Sequence, residues 1–553
     1  MRSFWIIIAI SMITIDAAYA GNTGKIAGKV IDKQTDKPLF GANVIIKNTY
    51  LGAATSKDGS YYILQVPPGK YDMVISFIGY NTLTIREVRV EVDLTTHIDA
   101  YMESSAIETQ SIEVVADNEM IQKDITSTRR ITSREEMEVT PGMEQALDMI
   151  KLQAGTVLDA IPQIIKLGEG QQLQVRDESV KDVHIRGGRG GEILYIVDGV
   201  PVTHPIYGGR SVIDLNVNEV KKVELLTGAF NAEYGQAQSG VINITTRSGK
   251  DYFETGIEYR NDNVGSFGDS YDTRYMSLYL GGPGKLIKPI FRLLRLNFPG
   301  KINYFLSGNI NLTNTPYNNN AMRKNLSILG LKFKEKQTNE FSINNKIIWD
   351  IYNKLKFAFS YNGSWKYWSR FDWLWKNFPD HTAQYSRENN NFTAKITHTL
   401  SQSTYYNLNL GFLSVDYKSS FDEQSPSDFW IFYKDSADHH NGTGYDYNAW
   451  RHDYFTLKPF KVESRIKPPT INPLTGFFDS EGYEGIWRND HTRTFNFRGS
   501  ISSQVHSEHL IKTGIEIQYN EIHYVDIQDG GVTLSPYGNY LFKGEHECAE
   551  PVG

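Results

Sequence analysis

The residues that could do covalent or metal chemistry are few and poorly spaced for it. Asp438-His439-His440 and His452-Asp453 set imidazoles beside carboxylates, the pairing that proton transfer or metal ligation requires. Both lie in one stretch, 419–491, with no helix or strand pattern around them, where a histidine is ordinarily a solvated loop residue. Neither an H-E-x-x-H zinc helix nor a G-x-S-x-G nucleophile turn occurs in the chain. Cys548 is the only cysteine, so no internal disulfide and no cysteine-ligated cluster can form. Gly187-Gly188-Arg189-Gly190-Gly191 has the glycine density of a phosphate-cradling loop. It leads straight into the strand-like Ile193–Val197, however, whereas phosphate loops open a helix. The net charge is −7 over 553 residues, which argues against a nucleic-acid binder. We expect no enzyme and no cofactor.

The chemistry that remains is non-covalent. Trp365, Tyr367, Trp368, Phe371, Trp373, Trp375 and Phe378 gather where a strand pattern enters a long loop. Such a cluster reads either as an interfacial aromatic girdle or as a flat ligand platform built on Trp365, Trp368, Trp373 and Trp375. Ile112, Glu113, Val114, Val115 and Ala116 form a short β-prone run in polar surroundings, the kind of segment that adds a strand to a partner's open sheet edge.

The elements that must position these groups are mainly β. Aromatics reach 12 %, with 33 tyrosines, a composition suited to pleated surfaces. Arg2, the apolar run Phe4 to Ile13 and Ala18-Tyr19-Ala20 read as a signal peptide over 1–20, and the run is too short to span a bilayer. Residues 22–104 hold β-prone runs at Ile26–Ile31, Ala42–Lys47, Tyr61–Gln65, Tyr71–Phe77 and Thr84–Val92. Asp58-Gly59 and Pro67-Pro68-Gly69 lie between them, and the spacing predicts a small β-sandwich. Residues 105–125 read as a linker. Within 126–250 a helix is predicted over Pro141 to Gln153, with Ala146, Leu147 and Ile150 on its apolar face. Strands are expected at Val183–Arg186, Ile193–Val197, Val220–Leu225 and Val241–Arg247, giving an α+β unit.

From 251 to 553 the pattern becomes repeated alternation. Leu355, Phe357, Phe359 and Tyr361 face one way, and Lys356, Ala358, Ser360 and Asn362 the other. Asp350–Lys354, Leu400–Thr404 and Val505–His509 make short connections, Arg370–Asn389 and Ser419–His491 long ones. This is the layout of an outer-membrane barrel. A soluble β-protein with half-buried sheets shares the same two-residue period. About nine strands can be counted, each about ten residues long.

Residues 22–104 resemble the carboxypeptidase regulatory-like domain family through G-K-V-I-D (28–32), P-L-F-G-A-N-V (38–44), D-G-S-Y (58–61), V-P-P-G-K-Y (66–71) and S-F-I-G-Y (76–80). Further on stand His184-Ile185-Arg186-Gly187-Gly188, Ile193–Val202 with its turn at Asp198-Gly199, and Val223–Gly228. Ala232-Glu233-Tyr234-Gly235 and Gly240–Ile244 follow. In this order they resemble the plug of TonB-dependent receptors, with Val197 where that family often has isoleucine. The resemblance implies an outer-membrane active transporter of a Gram-negative bacterium, with 126–250 as the plug and 251–553 as barrel. It implies that 112–116 is the TonB box, which a periplasmic energy-coupling protein grips. It also implies as cargo a small solute (chelate, glycan or peptide), with a surface lipoprotein as an added partner. About nine strands fall short of the roughly 22 of plugged transporters, so we expect a partial, truncated barrel. The rival reading is a secreted or surface-attached β-protein for adhesion or glycan binding. Charge-assisted bonds from Arg186 and Arg189 to wall carboxylates are expected to seat the plug.

Overall fold

The computed structural model describes residues 24–104, 111–115, 127–159, 164–166, 172–174, 182–204, 215–228, 234–263, 271–285, 299–314, 325–352, 354–369, 375–420, 430–433, 461–464, 486–528 and 531–548, with short breaks inside several of these ranges. The signal peptide over 1–20, Ala116, Trp373 and the histidines of 438–453 lie outside the described residues.

The first unit is a sandwich of two sheets. Gly24–Asp32 sits between Ser60–Val66 and the short strands Thr95–His97 and Ala100–Met102 in one sheet. The other runs Gly52–Ala54, Asn43–Ile46, Gly69–Ser76, Thr82–Val90, Ser111–Val115. Ile26, Val30, Val44, Ile46, Met73, Ile75 and Val88 are buried between them, the alternation that a two-layer core imposes on each strand. Gly59 takes φ +76° in the Asp58-Gly59 turn, a conformation open to glycine. Ser111–Val115, read from sequence as part of a linker, closes the second sheet at its end. It runs parallel to Thr82–Val90, from Thr82 opposite Ser111 to Arg86 opposite Val115.

The second unit is built on a five-stranded sheet ordered Ser127–Ser133, Val220–Gly228, Gly240–Thr246, Ile193–Val197, Val200–Pro201. All five residues of Ile193–Val197 are buried. Ile193, Tyr195 and Val197 join one apolar cluster, and Leu194 and Ile196 another on the opposite face. Burial on both faces is why this strand is a continuous apolar run and not an alternating one. The helix expected over Pro141 to Gln153 is not there as such. Helices occupy Arg134–Val139 and Asp148–Lys151. Ser133 and Glu136 form a capping box that starts the first upstream of Pro141, a signal stronger than the proline. Ala146 and Ile150 are buried in the core as expected.

The third unit is a 12-stranded antiparallel sheet, the wall. Its long strands are Glu254–Asn261, Arg274–Pro283, Lys301–Thr313, Thr338–Tyr352, Leu355–Ser369, Gln384–Thr399, Thr404–Ser420, Ile486–His506 and His509–Gln528, followed by three short ones. Several exceed the ten residues expected, reaching 21 in Ile486–His506. The long connections are accordingly shorter than read from sequence, because strands continue to Ser420, start at Gln384 and resume at Ile486. The first and last strands of the order are not paired with each other among the described residues.

The two faces of this wall are inverted relative to a water-soluble sheet. Asn344, Ser360, Asn362, Asn389, Asn391, Asn409, Asn496 and Ser500 are buried, whereas Leu410, Phe495, Ile517 and Tyr519 are exposed. On the outer face Tyr361, Phe392, Phe412, Phe495 and Tyr519 are successive register partners and form one row across five strands. Ring centroids along it are 4.7, 6.2 and 4.7 Å apart. The next row toward the long connections is polar: Asn390, Ser414, Arg493 and Glu521. An apolar outer band ending in an aromatic row is how a membrane barrel meets the lipid interface. No helix among the described residues is long and apolar enough to cross a membrane.

The seam between plug and wall

The tight hairpin at Asp198-Gly199 joins the second unit, the plug expected from the sequence, to the wall through buried contacts. Both residues have positive φ, +50° and +90°, as a two-residue primed turn demands. The Asp198 carboxylate accepts bonds from Lys346 Nζ at 2.7 Å, the Thr246 backbone N–H at 3.1 Å and the Thr246 hydroxyl. Ser360 Oγ donates at 3.4 Å. Burial pushes the Asp198 carboxyl up, but the Lys346 ammonium and the Thr246 bonds outweigh it and hold it below its ordinary value. Arg498 Nη1 donates to the Gly199 carbonyl at 3.3 Å. Val200 lies against wall Gly411, where an added Cβ would come within 2.4 Å of Val200 Cγ1.

Glu219 is a second bolt, at the end of the turn Val217–Glu219. Its carboxyl accepts from Asn309 Nδ2 at 2.7 Å, Ser342 Oγ at 3.2 Å, Ser307 Oγ at 3.4 Å and the Asn216 backbone N–H at 2.9 Å. Burial raises this carboxyl to about 7 against those hydrogen bonds. Arg247, just past the last plug strand, pairs with Glu254 at 3.1 Å and lies 4.5 Å from the ring centroids of both Tyr279 and Phe305. Asn218 Nδ2 donates to Glu258 at 3.1 Å. On the far side Gln236 Nε2 donates to Gln518 at 2.9 Å. Leu413 and Val415 of the wall are buried within the plug's own apolar cluster. Eight of the nine long wall strands therefore supply an inner-face group to one small unit, so the sheet wraps around it.

The residues singled out by sequence separate sharply. Tyr234 is buried beside Leu194, Ile196 and Leu226. Gly235 meets nothing within 4 Å of an added Cβ. A Cβ on Gly240 would come within 2.6 Å of the Ile185 Cδ1 methyl and 3.3 Å of the Leu226 carbonyl oxygen, so the strand packs closely there. Arg186 takes φ +51° and Gly187 +79°, where the chain turns out of the strand Asp182–Ile185. The expected wall bonds of Arg186 and Arg189 do not occur among the described residues. Arg186 donates its backbone N–H to Gly155, and Arg189 its own to Glu192. Their place is taken by Lys346, Asn309, Arg498 and Arg247, none of which stands in a recognisable motif. Ile112, Glu113, Val114 and Val115 lie in the sandwich strand already described.

Of the four tryptophans, Trp365, Trp368 and Trp375 are among the described residues. Ser364 is inward, bonded to Asn389, so strand alternation puts Trp365 on the outer face. Trp368 is inward and stacks on Tyr385 at 5.5 Å and 14°, with Tyr417 6.2 Å away. Trp375 is buried near His381. On the side of the long connections an open cavity separates plug from wall, and Lys366, which lines it, has its Nζ 5.7 Å from the Trp368 ring. Gln145 and Asn216 line it from the plug, and Asn311, Glu340 and Lys366 from the wall. No group of three His, Cys, Asp or Glu among the described residues could hold a metal ion.

Comparison with known proteins places these units. Residues 26–115 match the CarboxypepD_reg-like domain and residues 121–242 the TonB-dependent Receptor Plug Domain. The TonB-dependent transporter Oar of Myxococcus xanthus is 25 % identical over 270 residues, 46 % of this chain and 23 % of Oar. The TonB-dependent receptor SusC of Bacteroides thetaiotaomicron is 25 % identical over 241 residues, 42 % of this chain and 22 % of SusC. The aligned part thus spans under a quarter of these relatives. Among solved structures, the ferric yersiniabactin uptake receptor FyuA from Yersinia pestis aligns with a TM-score of 0.38 at 12 % identity, covering 75 % of this chain and 59 % of FyuA.

Proposed function

We propose, for a chain that carries the plug domain of TonB-dependent receptors behind a carboxypeptidase regulatory-like domain, a role in active import across the outer membrane of a Gram-negative bacterium. The plug blocks the lumen. A scarce solute is captured on the side of the long connections, in the cavity lined by Gln145, Asn216, Glu340 and Lys366. A periplasmic energy-coupling protein of the TonB type grips 112–116 and pulls, and the plug rearranges so that the solute passes. No covalent step is required. The solute is a chelate, a glycan or a peptide, and a surface lipoprotein is a candidate delivery partner.

One observation carries this reading: the plug is seated on the inner face of an inverted wall through isolated polar bolts such as Asp198–Lys346 and Glu219–Asn309. Polar bolts hold without building a dry, permanent core, although Leu413 and Val415 add a limited apolar contact. A soluble adhesion protein would expose Leu410, Phe495 and Ile517 to water with no gain. The test is deletion of 111–116 in the intact receptor. Uptake of the solute stops while surface binding persists; unchanged uptake would remove the coupling role from this segment.

A further inference from the structure

Ser111–Val115 has two claims on its backbone. In the structure it is the end strand of the sandwich's second sheet, in parallel register with Thr82–Val90 over five positions. The match to the carboxypeptidase regulatory-like domain ends at the same residue, Val115. The strand therefore belongs to the sandwich by sequence pattern as well as by geometry. Under the proposed function it is also the strand that the periplasmic coupler must take.

We propose that the sandwich is a holder for the coupling strand, and that the coupler competes with Thr82–Val90 for it. The sandwich occupies one edge of Ser111–Val115, while the opposite edge has no strand partner among the described residues. A five-residue parallel ladder at the margin of a sheet is weak for its length. Parallel pairing is less stable per residue than antiparallel, and an end strand is held from one side alone. The neighbouring antiparallel ladder between Gly69–Ser76 and Thr82–Val90 remains intact when Ser111–Val115 leaves, so release does not dismantle the sandwich.

The holder is fixed at the right place. Lys25 Nζ donates to Gln504 Oε1 at 2.8 Å, and Thr399 Oγ1 donates to Gln65 Oε1 at 2.7 Å. Gln504 and Thr399 stand at the short-turn end of the wall, opposite the cavity. Docked there, the sandwich keeps the strand at the mouth from which a periplasmic partner approaches. The strand also precedes Ser127–Ser133, which is itself an end strand of the plug sheet. Once the coupler holds 111–115, a pull arrives at Ser127 and loads the plug ladder from its Ser127–Gly228 end, pair by pair. The sandwich thereby sets how often the strand is free to be gripped, and the coupler's apparent affinity is reduced by the fraction of time it is held.

This rests on the reading of 111–116 as the coupling segment, which the deletion above tests by itself. The new claim is tested by locking the ladder. Thr82→Cys with Ser111→Cys in a Cys548→Ser background puts a thiol pair at register partners. Their Cα atoms lie about 4.8 Å apart, inside the reach of a disulfide. In the oxidised receptor, uptake and binding of the coupler's periplasmic domain fall at least about tenfold, surface binding of solute is unchanged, and reductant restores both. The single-cysteine variants behave as the parent. If the deletion abolishes uptake but the locked receptor imports and binds the coupler as the reduced one does, the coupler adds to the open edge without releasing the strand. The holder is then wrong while the import reading stands. A loss that the single-cysteine variants share, or that reductant fails to reverse, also counts against it.

Discussion

Lys346 of the wall and Asp198 of the plug meet at 2.7 Å in a seam that leaves each side chain no more than 10 % exposed. Removing one partner strands a buried charge, which costs about 3–5 kcal/mol. Asp198→Asn should therefore loosen the plug, seen as faster proteolysis of residues 193–246 in the detergent-solubilised receptor. Asp198→Asn combined with Lys346→Met should recover most of the loss. A double variant as labile as the single one would show that the ion pair is incidental.

Glu219 gives the seam a pH dependence of defined sign. Its carboxyl is raised to about 7, so between about 4.5 and 7 the seated plug holds a proton that the released chain has given up. Stability of the seam then falls as pH rises through that window, by on the order of 1–3 kcal/mol. Asp198 acts oppositely, since its lowered value makes its contribution fade only as pH falls below the ordinary carboxylate range. The protection factors of 215–228, corrected for the base-catalysed intrinsic exchange rate, should be higher at pH 5.5 than at pH 8, and Glu219→Gln should erase the difference. Equal protection factors at both pH values in the parent would contradict a protonated Glu219.

Gly411 and Val200 make a steric test. Gly411→Ala places a methyl group where Val200 Cγ1 already lies 2.4 Å away, an overpacking cost of about 1–3 kcal/mol. Val200→Ala in the same chain should relieve it. The readout is the melting temperature of the plug-protected state, and failure of the second substitution to rescue the first would refute the contact.

Leu410 and Leu413 stand three residues apart and face opposite ways. Leu413→Ala opens a cavity in the plug core and should cost about 2–4 kcal/mol in plug retention, with little effect on membrane assembly. Leu410→Arg should instead impair assembly, by about 2–4 kcal/mol if the site lies near the bilayer midplane. Assembly is measured by heat-modifiable mobility in extracted outer membranes. Similar phenotypes from the two would be incompatible with an inverted wall.

Lys366→Ala should weaken solute binding by about tenfold, as loss of a half-buried cation in the cavity wall does, whereas Phe495→Ala on the outer face should leave it unchanged. Equilibrium binding to whole cells separates the two. Greater damage from the Phe495 variant would relocate the solute to the outer face.

Much of this architecture is readable along the chain. Continuous apolar residues from Ile193 to Val197 signal a strand buried on both faces, Asp198-Gly199 signals a primed turn, and Leu355 to Asn362 alternate as a membrane-facing strand must. These are local properties, fixed by side-chain period and backbone sterics within a few residues. The partners across the seam are not of that kind. Lys346 meets Asp198 from 148 residues away, and Asn309 meets Glu219 from 90. Nothing in the neighbourhood of Lys346 or Asn309 marks them, so the visible Arg186 and Arg189 drew the expectation instead. The same limit applies to Trp365 and Trp368, alike by composition and separated only by which face their strand turns inward. It applies again to Ser111–Val115, whose residues announce a strand that wants a partner edge. Sequence determined that such a strand, plug and wall exist, because those are matters of local pattern. Only the tertiary structure decided which edge the strand occupies and which charges close the seam, because pairing over long separations depends on where distant backbone is brought.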